Sequence, residues 1–251
     1  MAYEVILILF AVALVAGFVD TLAGGGGLLT LPALLLTGMS PVQAIATNKL
    51  QAVVGTATAT TMMFRKRKVS IKQIWPLMIM AFIGSALGAL LVLSIDSQWL
   101  EPLVPFLLVI IGLYFLISPN LTQQNEINGE HKTVRYRLYQ FIAVPIVGLY
   151  DGFFGPGTGS FFTAAGASVA KMPFLQATAI AKTLNFSTNL AALILFVIAG
   201  KMIWLTGLVM MIGQFLGAWL GSHMLFTLPV KWIRLLAACM CFLMVIKLVW
   251  F

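Results

Sequence analysis

Two acidic residues and two lysines recur in matching order in an otherwise strongly apolar chain. Asp20 and Asp151 lie 131 positions apart, Lys49 and Lys182 lie 133 positions apart, and a glycine-rich stretch follows each acid. A lysine at membrane depth is costly and is therefore a functional hypothesis by default. A carboxyl group among apolar groups binds a proton more readily than one in water, which suits a proton carrier. These residues point to ion chemistry inside a membrane.

Structural roles for the same four side chains stay open. Each lysine could extend its aliphatic stem and reach the lipid headgroups. Each carboxylate could accept hydrogen bonds from the N–H groups of the nearby glycine stretch, or pair with the lysine of the matching segment. Both structural roles compete with proton coupling.

The glycine stretches, Gly24 to Gly27 and Gly155 to Gly159, interrupt apolar segments. The first cannot hold a stable helix, because each glycine costs about 1 kcal/mol relative to alanine. A short helix that starts after such a break presents unpaired N–H groups and about half a positive charge. Together these features favour a bound anion. The alternative is that the glycines form a flexible turn without a site.

Polar side chains near the breaks complete the predicted anion site. Thr30 should cap the first short helix, with Pro32 in its first turn, and Thr158 and Ser160 should cap the second. Amides on the lysine-bearing helices could donate to an oxyanion or bond between helices instead. The predicted substrate-binding residues are Gly24, Gly25, Gly26, Gly27, Thr30, Asn48, Lys49, Gln51, Gly155, Gly157, Thr158, Gly159, Ser160, Lys182, Asn185 and Asn189, with Asp20 and Asp151 in proton-coupling or structural roles.

The correspondence between the two halves extends beyond these residues. Gln43 and Gln176 precede the two lysines, and Trp75 has a counterpart in Trp204. Chance is the alternative, since apolar stretches share composition, but the same order of acid, glycine break, glutamine and lysine argues against it. Paired, glycine-interrupted segments in the two halves of a membrane protein are the best sequence pointer to a transporter site.

Composition indicates an integral membrane protein in a lipid bilayer. Of the 251 residues, 61% are hydrophobic and 9% are charged, whereas a soluble domain is about 45–50% apolar and about 25% charged. The net charge of +8 comes from basic residues in short loops, which is typical of cytoplasmic loops and not of nucleic-acid binding. The first residues lack the positive start of a cleavable signal, so we expect the first helix to remain as an anchor.

Eight apolar runs are long enough for one bilayer crossing of about 20 residues each. Two shorter pieces, 28–38 and 160–170, follow the glycine breaks. An extended Gly24 to Gly27 followed by a helix of about 11 residues would span about 30 Å, enough for a further crossing in each half. A re-entrant hairpin or surface loop is the alternative. The eight full runs lie near 3–22, 42–64, 74–94, 100–118, 138–154, 174–199, 203–225 and 233–251.

Loop charges favour five crossings per half over four. Basic residues at 65–72 and 132–137 place both loops in the cytoplasm. Five crossings also place Lys171, Lys231 and Arg234 inside, whereas four place them outside. An odd number makes the repeats inverted and puts both chain ends outside. The predicted fold is an all-α polytopic membrane protein with two inverted repeats, each of about four full transmembrane helices plus one glycine-broken short helix, divided into residues 1–119, a cytoplasmic linker 120–137 and residues 138–251.

Signatures of enzymes, metals and cofactors are missing from the sequence. No Gly-Lys-Ser/Thr follows the glycines, and GPGTG is not a dinucleotide-binding fingerprint. No His, Cys and acid cluster has metal-ligand spacing, and His131 and His223 are isolated. Cys239 and Cys241 would face apart on one helix, so they form neither a disulfide with each other nor a metal site. We predict no cofactor, no metal and no enzymatic activity.

Glycines at helical spacing let helices pack closely. They occur at Gly84 and Gly88 in the first half and at Gly213, Gly217 and Gly221 in the second. The contact could form within the chain or between two chains, so a homodimer is permitted but not required.

The blocks GFVDTLAGGGGLLTLPALL…ATNKLQ and GLYDGFFGPGTGSFF…AKTLN resemble those of the sulfite exporter TauE/SafE family, also called the toluene sulfonate uptake permeases. The resemblance covers essentially the whole chain and looks closest to the YfcA-like bacterial branch. It implies a multi-pass transporter of the plasma membrane, the bacterial inner membrane, that moves small sulfur-containing anions such as sulfite, thiosulfate or sulfonates. The second block departs from the first at Pro156 and Thr158, so the two half-sites need not be chemically equivalent.

Residue chemistry and resemblance together predict a secondary transporter of a small sulfur oxyanion or organosulfonate. Asp20 or Asp151 would be available for proton coupling, and one repeat would rock or gate against the other. Two alternatives belong to other classes. An intramembrane enzyme acting on a lipid would need a clustered nucleophile or metal set. A cation-conducting channel would line its pore with the acids instead of the lysines and helix starts.

Overall fold

The computed structural model describes residues 3–66, 69–117 and 131–224, and within these ranges the chain is all-helical. The predicted run 233–251, the loop with Lys231 and Arg234, and most of the predicted linker 120–137 lie outside the described residues. The helices are α1 Tyr3–Ala23, α2 Gly27–Leu35, α3 Pro41–Arg65, α4 Ile71–Leu93, α5 Ser97–Ile117, α6 His131–Leu138, α7 Val144–Phe153, α8 Thr158–Ser168, α9 Phe174–Ile198 and α10 Trp204–Met224, with a π-helical turn, Tyr139–Ala143, between α6 and α7.

These helices match the predicted apolar runs in order and position. One run is longer than predicted, because α6, the π-helical turn and α7 follow one another without interruption from His131. By length and composition, α1, α4, α9 and α10 are the helices among the described residues that could cross a membrane. The described part of the chain is thus all-helical, and the protein is a multi-pass membrane protein.

Helix α3 has 25 residues but carries many more polar side chains than its neighbours. Asn48, Lys49 and Gln51 are each at most 3% exposed. Their polar groups face the protein interior, where other polar groups can satisfy them, and polar residues are tolerated at membrane depth under that condition. The polarity of α3 therefore marks a site inside the bundle.

The main contacts between helices join the two halves of the sequence. Helix α1 packs along α10 and α4 along α7, while α3 packs against α10 and α9 against α4. In the repeat, α1, α3 and α4 correspond to α7, α9 and α10. Replacing each helix by its counterpart converts the contact of α1 with α10 into that of α7 with α4, and the contact of α3 with α10 into that of α9 with α4. Helices α3 and α9, which carry the two lysines, pack against each other. Opposite membrane orientation of the two repeats stays a prediction.

Glycine faces make the close contacts between the halves. Gly84 and Gly88 of α4 lie against the backbone of α7, and Gly213, Gly217 and Gly221 of α10 lie against the backbone of α1. A methyl group at any of these positions would collide with main-chain atoms. The predicted packing faces are therefore used within the chain, and they are not available to a homodimer.

Lys171 and Lys201 lie in loops toward opposite ends of α3. Val69, in the loop after α3, shares an apolar cluster with the residues on both sides of Lys171. The loop with Lys201 lies near the start of α3, where the Ile203 N–H donates to Thr47 Oγ1 at 3.1 Å. Five crossings per half require Lys171 beside the loop after α3, whereas four place it at the other end. Which end faces the cytoplasm stays a prediction.

Candidate substrate site

The first glycine break is a compact turn. Gly24 has a φ of +76°, and its N–H still donates to the carbonyl of Asp20 at 2.7 Å, as at the C-terminal end of many helices. Asp20 Oδ1 accepts the Gly26 N–H at 2.9 Å, and α2 begins at Gly27. The prediction of an extended Gly24 to Gly27 is wrong, because the Asp20 carboxylate folds the chain back across the break. The predicted crossing length of about 30 Å depended on that extension and therefore no longer holds.

The second break also combines glycines of positive φ with an acidic side chain, but the carboxylate accepts a hydrogen bond from a different group. Gly155 and Gly157 have φ values of +102° and +84°, a region that favours glycine. Asp151 Oδ1 accepts the Thr158 hydroxyl at 2.7 Å, whereas the corresponding carboxylate of the first break accepts a backbone N–H. The two half-sites therefore differ in chemistry at the acid.

None of the predicted caps acts as an N-cap. Gly26 and Gly157 occupy these positions, and neither makes a side-chain capping bond. Thr30 lies inside α2, where its hydroxyl donates to Asn48 Oδ1 at 2.6 Å, and Thr158 is the first residue of α8. The helices start earlier than predicted, so these hydroxyls act as donors toward other side chains.

Because both helices start earlier than predicted, two further residues lie deeper in them than expected. Part of the array of free N–H groups predicted at the helix starts is also already hydrogen-bonded. Ser160 is already the third residue of α8, and Pro32 is the sixth residue of α2, beyond its first turn. The Leu28 and Leu29 N–H groups donate to carbonyls of the turn itself, at 3.0 Å each. An anion at this site would consequently depend on side-chain donors more than the sequence predicted.

The two breaks touch each other. A methyl group on Gly24 would lie 2.5 Å from the carbonyl carbon of Gly159, and one on Gly159 would lie 2.7 Å from Gly24 Cα. A methyl group on Gly27 would lie 3.1 Å from the Cα of Pro156. The starts of α2 and α8 therefore lie together, as the paired breaks predict.

Both lysines are buried, so the alternative of reaching to the headgroups is wrong. Lys49 and Lys182 are each 1% exposed. Lys49 Nζ pairs with Asp151 Oδ1 at 2.8 Å, while Lys182 Nζ donates to the main-chain carbonyl of Asp20. Each lysine contacts the acidic residue of the other half, but Lys49 binds the carboxylate whereas Lys182 binds the main chain.

Amide side chains extend this polar cluster along α3 and α9. Asn48 Oδ1 accepts Gln51 Nε2 at 2.8 Å in addition to the hydroxyl from α2. In α9, Asn189 Nδ2 donates to Asn185 Oδ1 at 3.0 Å. In this structure the amides bond to one another and to α2, which is the structural alternative that the sequence left open.

A small cavity lies among these groups. Its volume is about 20 Å³, and about 10–15 Å³ suffices for one water molecule. Of the predicted site residues, Gly25, Gly26, Gly159, Ser160 and Lys182 do not line it. The lining consists of Asp20, Gly24, Gly27, Thr30, Asn48, Lys49, Gln51, Ala52, Thr56, Asp151, Gly155, Gly157, Thr158, Asn185, Asn189 and Gln214.

Gln214 of α10 is a lining residue that sequence reasoning missed. Its counterpart in the first half, at the register of Trp75 and Trp204, is Ser85, so the repeat gave no matching pair. The available signal was an amide within an apolar helix, which is functional by default. Gly55 makes room for it, since a methyl group there would lie 2.6 Å from Gln214 Cγ.

Three oxygen atoms at the cavity are buried without a hydrogen-bond partner among the described residues. They are Asp151 Oδ2, Gln51 Oε1 and Gln214 Oε1, and their side chains are at most 2% exposed. An unsatisfied buried polar atom costs about 1–3 kcal/mol. The cavity therefore favours a donor or a proton that satisfies these oxygens. Among the same residues, no three His, Cys, Asp or Glu side chains are placed to hold a metal ion.

Comparison with known proteins agrees with the membrane architecture. The family model for sulfite exporter TauE/SafE matches residues 9–248. A probable membrane transporter protein of Haemophilus influenzae is 44% identical over 247 residues, covering 98% of this chain and 95% of the relative. The probable membrane transporter protein YfcA of Escherichia coli is 46% identical over 228 residues, covering 90% and 83%.

A more distant relative is the probable membrane transporter protein YunE of Bacillus subtilis, which is 26% identical over 238 residues and covers 86% of this chain and 87% of its own. No solved structure matches the chain significantly. Each of these relatives is named as a transporter and none as an enzyme, which removes the support for an intramembrane lipid enzyme. The family match spans nearly the whole sequence, and the chain therefore belongs to the sulfite exporter TauE/SafE family.

Proposed function

We propose that this protein is a secondary transporter of small sulfur-containing anions across the plasma membrane, with the cavity between the glycine breaks as its substrate site. The observation that carries the proposal is Lys49, a buried cation at a polar cavity inside an apolar helix bundle. A buried lysine is expensive in a membrane protein and marks a functional site by default. The family description supplies the class of anion.

Side chains around the cavity carry the donors that an oxyanion needs, and an anion would have to draw them away from Asp151 and Asn48, to which they donate in this structure. Lys49 would supply the opposing charge, the hydroxyls of Thr30 and Thr158 would supply neutral donors, and the amides of Asn185 and Gln214 would turn their N–H groups toward the anion. Hydrogen bonds to charged groups are roughly twice as strong as neutral ones. A cavity of about 20 Å³ holds little more than one water molecule, so the site would have to widen to admit a sulfur oxyanion.

A cation channel is less well supported by the same geometry. Asp151 is already paired with Lys49, and the Asp20 carboxylate accepts a backbone N–H. Neither acid presents a free row of negative charge to a permeating cation, as cation-selective pores do. Proton coupling through one of the two acids remains part of the proposal.

Anion-dependent thermal stabilisation of the purified protein tests the proposal. The panel is sulfite, thiosulfate, sulfate, taurine, sulfoacetate and chloride, and a ligand at 100 times its Kd should stabilise by about 2.7 kcal/mol. We expect one sulfur anion to stabilise the wild type selectively and Lys49→Gln to abolish the effect. Lys201→Gln is the matched control, because Lys201 is exposed at the end of the bundle.

Two results would contradict the proposal. One is a wild type that no sulfur anion stabilises, and the other is stabilisation that Lys49→Gln leaves intact. Flux measurements in liposomes separate the channel alternative. Lys49→Glu should abolish anion transport, whereas a cation channel with the same substitution should keep or increase its cation flux.

A further inference from the structure

We infer that Asp151 is the proton-binding site of this transporter. One proton binds to the site with each anion, because the anion replaces Asp151 as the counter-ion of Lys49. The inference rests on the proposed function. It adds the identity of the co-substrate, the residue that carries it and the ratio of proton to anion. It also separates the roles of two acids that occupy matching positions in the sequence.

The two acids differ in what their oxygens contact. Asp20 uses its carboxylate to hold the turn, through the Gly26 N–H, and Lys182 contacts only its main-chain carbonyl among the described hydrogen bonds. Asp151 Oδ1 holds both Lys49, at 2.8 Å, and Thr158, at 2.7 Å. Its Oδ2 is buried and has no partner within the described ranges. Asp151 therefore has an oxygen ready for a proton, and its charge depends on one lysine.

The charges around the cavity are few. Among the described residues, the titratable groups that line it are Asp20, Lys49 and Asp151. Helix α8 contributes the Thr158 hydroxyl, and α4 and α9, which also pack against α7, contribute no titratable side chain to the lining. Lys182 of α9 lies on the Asp20 carbonyl. Lys49 is thus the counter-charge on which an ionised Asp151 relies.

An incoming anion competes with Asp151 for the Lys49 ammonium. When the ammonium turns to the anion, Asp151 is left as a buried carboxylate without a counter-charge. A buried group in that position takes up a proton instead of remaining charged. The exchange starts from an ammonium–carboxylate pair, an anion and a proton. It ends with an ammonium–anion pair and a neutral carboxylic acid, so charge is conserved and the one new bond is the O–H bond.

The proton has a defined place in this exchange. Protonation of Asp151 at Oδ2 converts an unpartnered acceptor into a donor. Gln51 Oε1 and Gln214 Oε1 line the same cavity and lack donors among the described residues. One of these two oxygens is assigned as the acceptor of the new O–H, so that protonation pairs atoms that the unprotonated site leaves unpaired.

Titration calorimetry of the detergent-solubilised full chain tests the inference. Thiosulfate and methanesulfonate are the probes, because neither titrates near neutral pH, and each is measured in two buffers with different heats of ionisation. We expect the wild type to take up about one proton per bound anion, with affinity falling about tenfold per unit of rising pH once Asp151 is ionised in the free protein. Anion binding by the wild type without proton uptake would overturn the inference and leave the proposed function standing.

Two variants assign the proton. Asp151→Asn mimics the protonated acid, so its proton uptake should fall to about zero and its anion affinity should no longer depend on pH. Asp20→Asn tests the other acid of the cavity: its amide oxygen can still accept the Gly26 N–H, and it should still take up about one proton per bound anion, whatever its effect on anion affinity. Uptake retained in Asp151→Asn, or lost in Asp20→Asn, would overturn the assignment. If Asp151→Asn does not fold, loss of uptake in Asp20→Asn still overturns the assignment, and retained uptake excludes Asp20 as the proton carrier. Failure of both probes and of every sulfur anion in the stabilisation panel to bind the wild type would overturn the proposed function and this inference with it.

Discussion

Gly24 and Gly159 come from opposite halves of the chain, and their main chains touch so closely that neither position has room for a methyl group. This contact holds the starts of α2 and α8 together beside the cavity. It is the point at which the two glycine breaks become one site. Glycine-to-alanine substitutions, which add one methyl group, measure how sensitive the stability of the protein is to this contact.

Alanine at the contact should be much more damaging than alanine at a similar glycine elsewhere. Gly38 has a φ of +82°, close to the +76° of Gly24, but no atom lies within 4 Å of an added methyl group. Gly38→Ala should cost about 1–2 kcal/mol from the left-handed backbone alone. Gly159→Ala lacks that conformational cost, yet it should destabilise by about 3 kcal/mol through the collision, at the upper end of the usual cost of overpacking. Thermal unfolding in detergent measures both, and equal effects would mean that the breaks do not touch.

Removing the Lys49 ammonium should leave Asp151 buried without its counter-charge. Breaking a buried ion pair from one side costs about 3–5 kcal/mol, so we expect Lys49→Met to destabilise by up to that amount. The double variant Lys49→Met/Asp151→Asn should recover most of the loss, because no acid without a counter-charge remains. Lys201→Met serves as the exposed control and should stay within about 0.5 kcal/mol of the wild type. A double variant no more stable than the single one would contradict the pairing.

Gln214→Met should leave the stability of the free protein unchanged or slightly higher, but it should lower the affinity for the anion. The substitution removes the unpartnered Oε1 at similar volume, so the free protein should be as stable as the wild type or slightly more stable. Anion affinity should fall about tenfold, the equivalent of about 1.4 kcal/mol, since a donor to the anion is lost. Ser222→Ala, whose hydroxyl donates to the Ala218 carbonyl of its own helix, should change neither quantity. Unchanged anion affinity in Gln214→Met would remove Gln214 from the site.

Membrane sidedness can be measured with single cysteines in a background where Cys239 and Cys241 are replaced by serine. Five crossings per half predict that Ser70→Cys and Lys171→Cys react with an impermeant thiol reagent from the cytoplasmic face. Lys201→Cys should react from the opposite face. Labelling of Ser70→Cys and Lys171→Cys from opposite faces would support four crossings instead.

The sequence was sufficient for the parts of the fold that depend on local composition. Long apolar runs have only one stable form in a bilayer, so the positions of helices such as α9, predicted at 174–199 and observed at Phe174–Ile198, could be read directly. Burial of the two acids and two lysines could be predicted in the same way, since an acid, a glycine break and a lysine in matching positions had to face the interior to be tolerated.

The remaining features depend on long-range contacts. Lys49 and Asp151 are 102 positions apart, and nothing local says that one lysine binds a carboxylate while the other binds a main-chain oxygen. The start of α2 at Gly27 was also hidden, because glycine is a poor helix former and the Asp20 carboxylate that supports the turn acts from the preceding helix. Gln214 lacked a partner in the other half, so the comparison of repeats passed over it.

The pairing of α1 with α10 and of α4 with α7 has a mechanical consequence. Glycine-mediated contacts along whole helices resist sliding, so a motion that opens the site must carry both members of each pair together. Each rigid body then contains one helix from each half of the sequence, and the boundary between moving bodies does not coincide with the boundary between repeats. A motion that exposes the site to one side of the membrane would therefore separate two mixed bodies that each half helps to build, and not one repeat from the other as the sequence predicted.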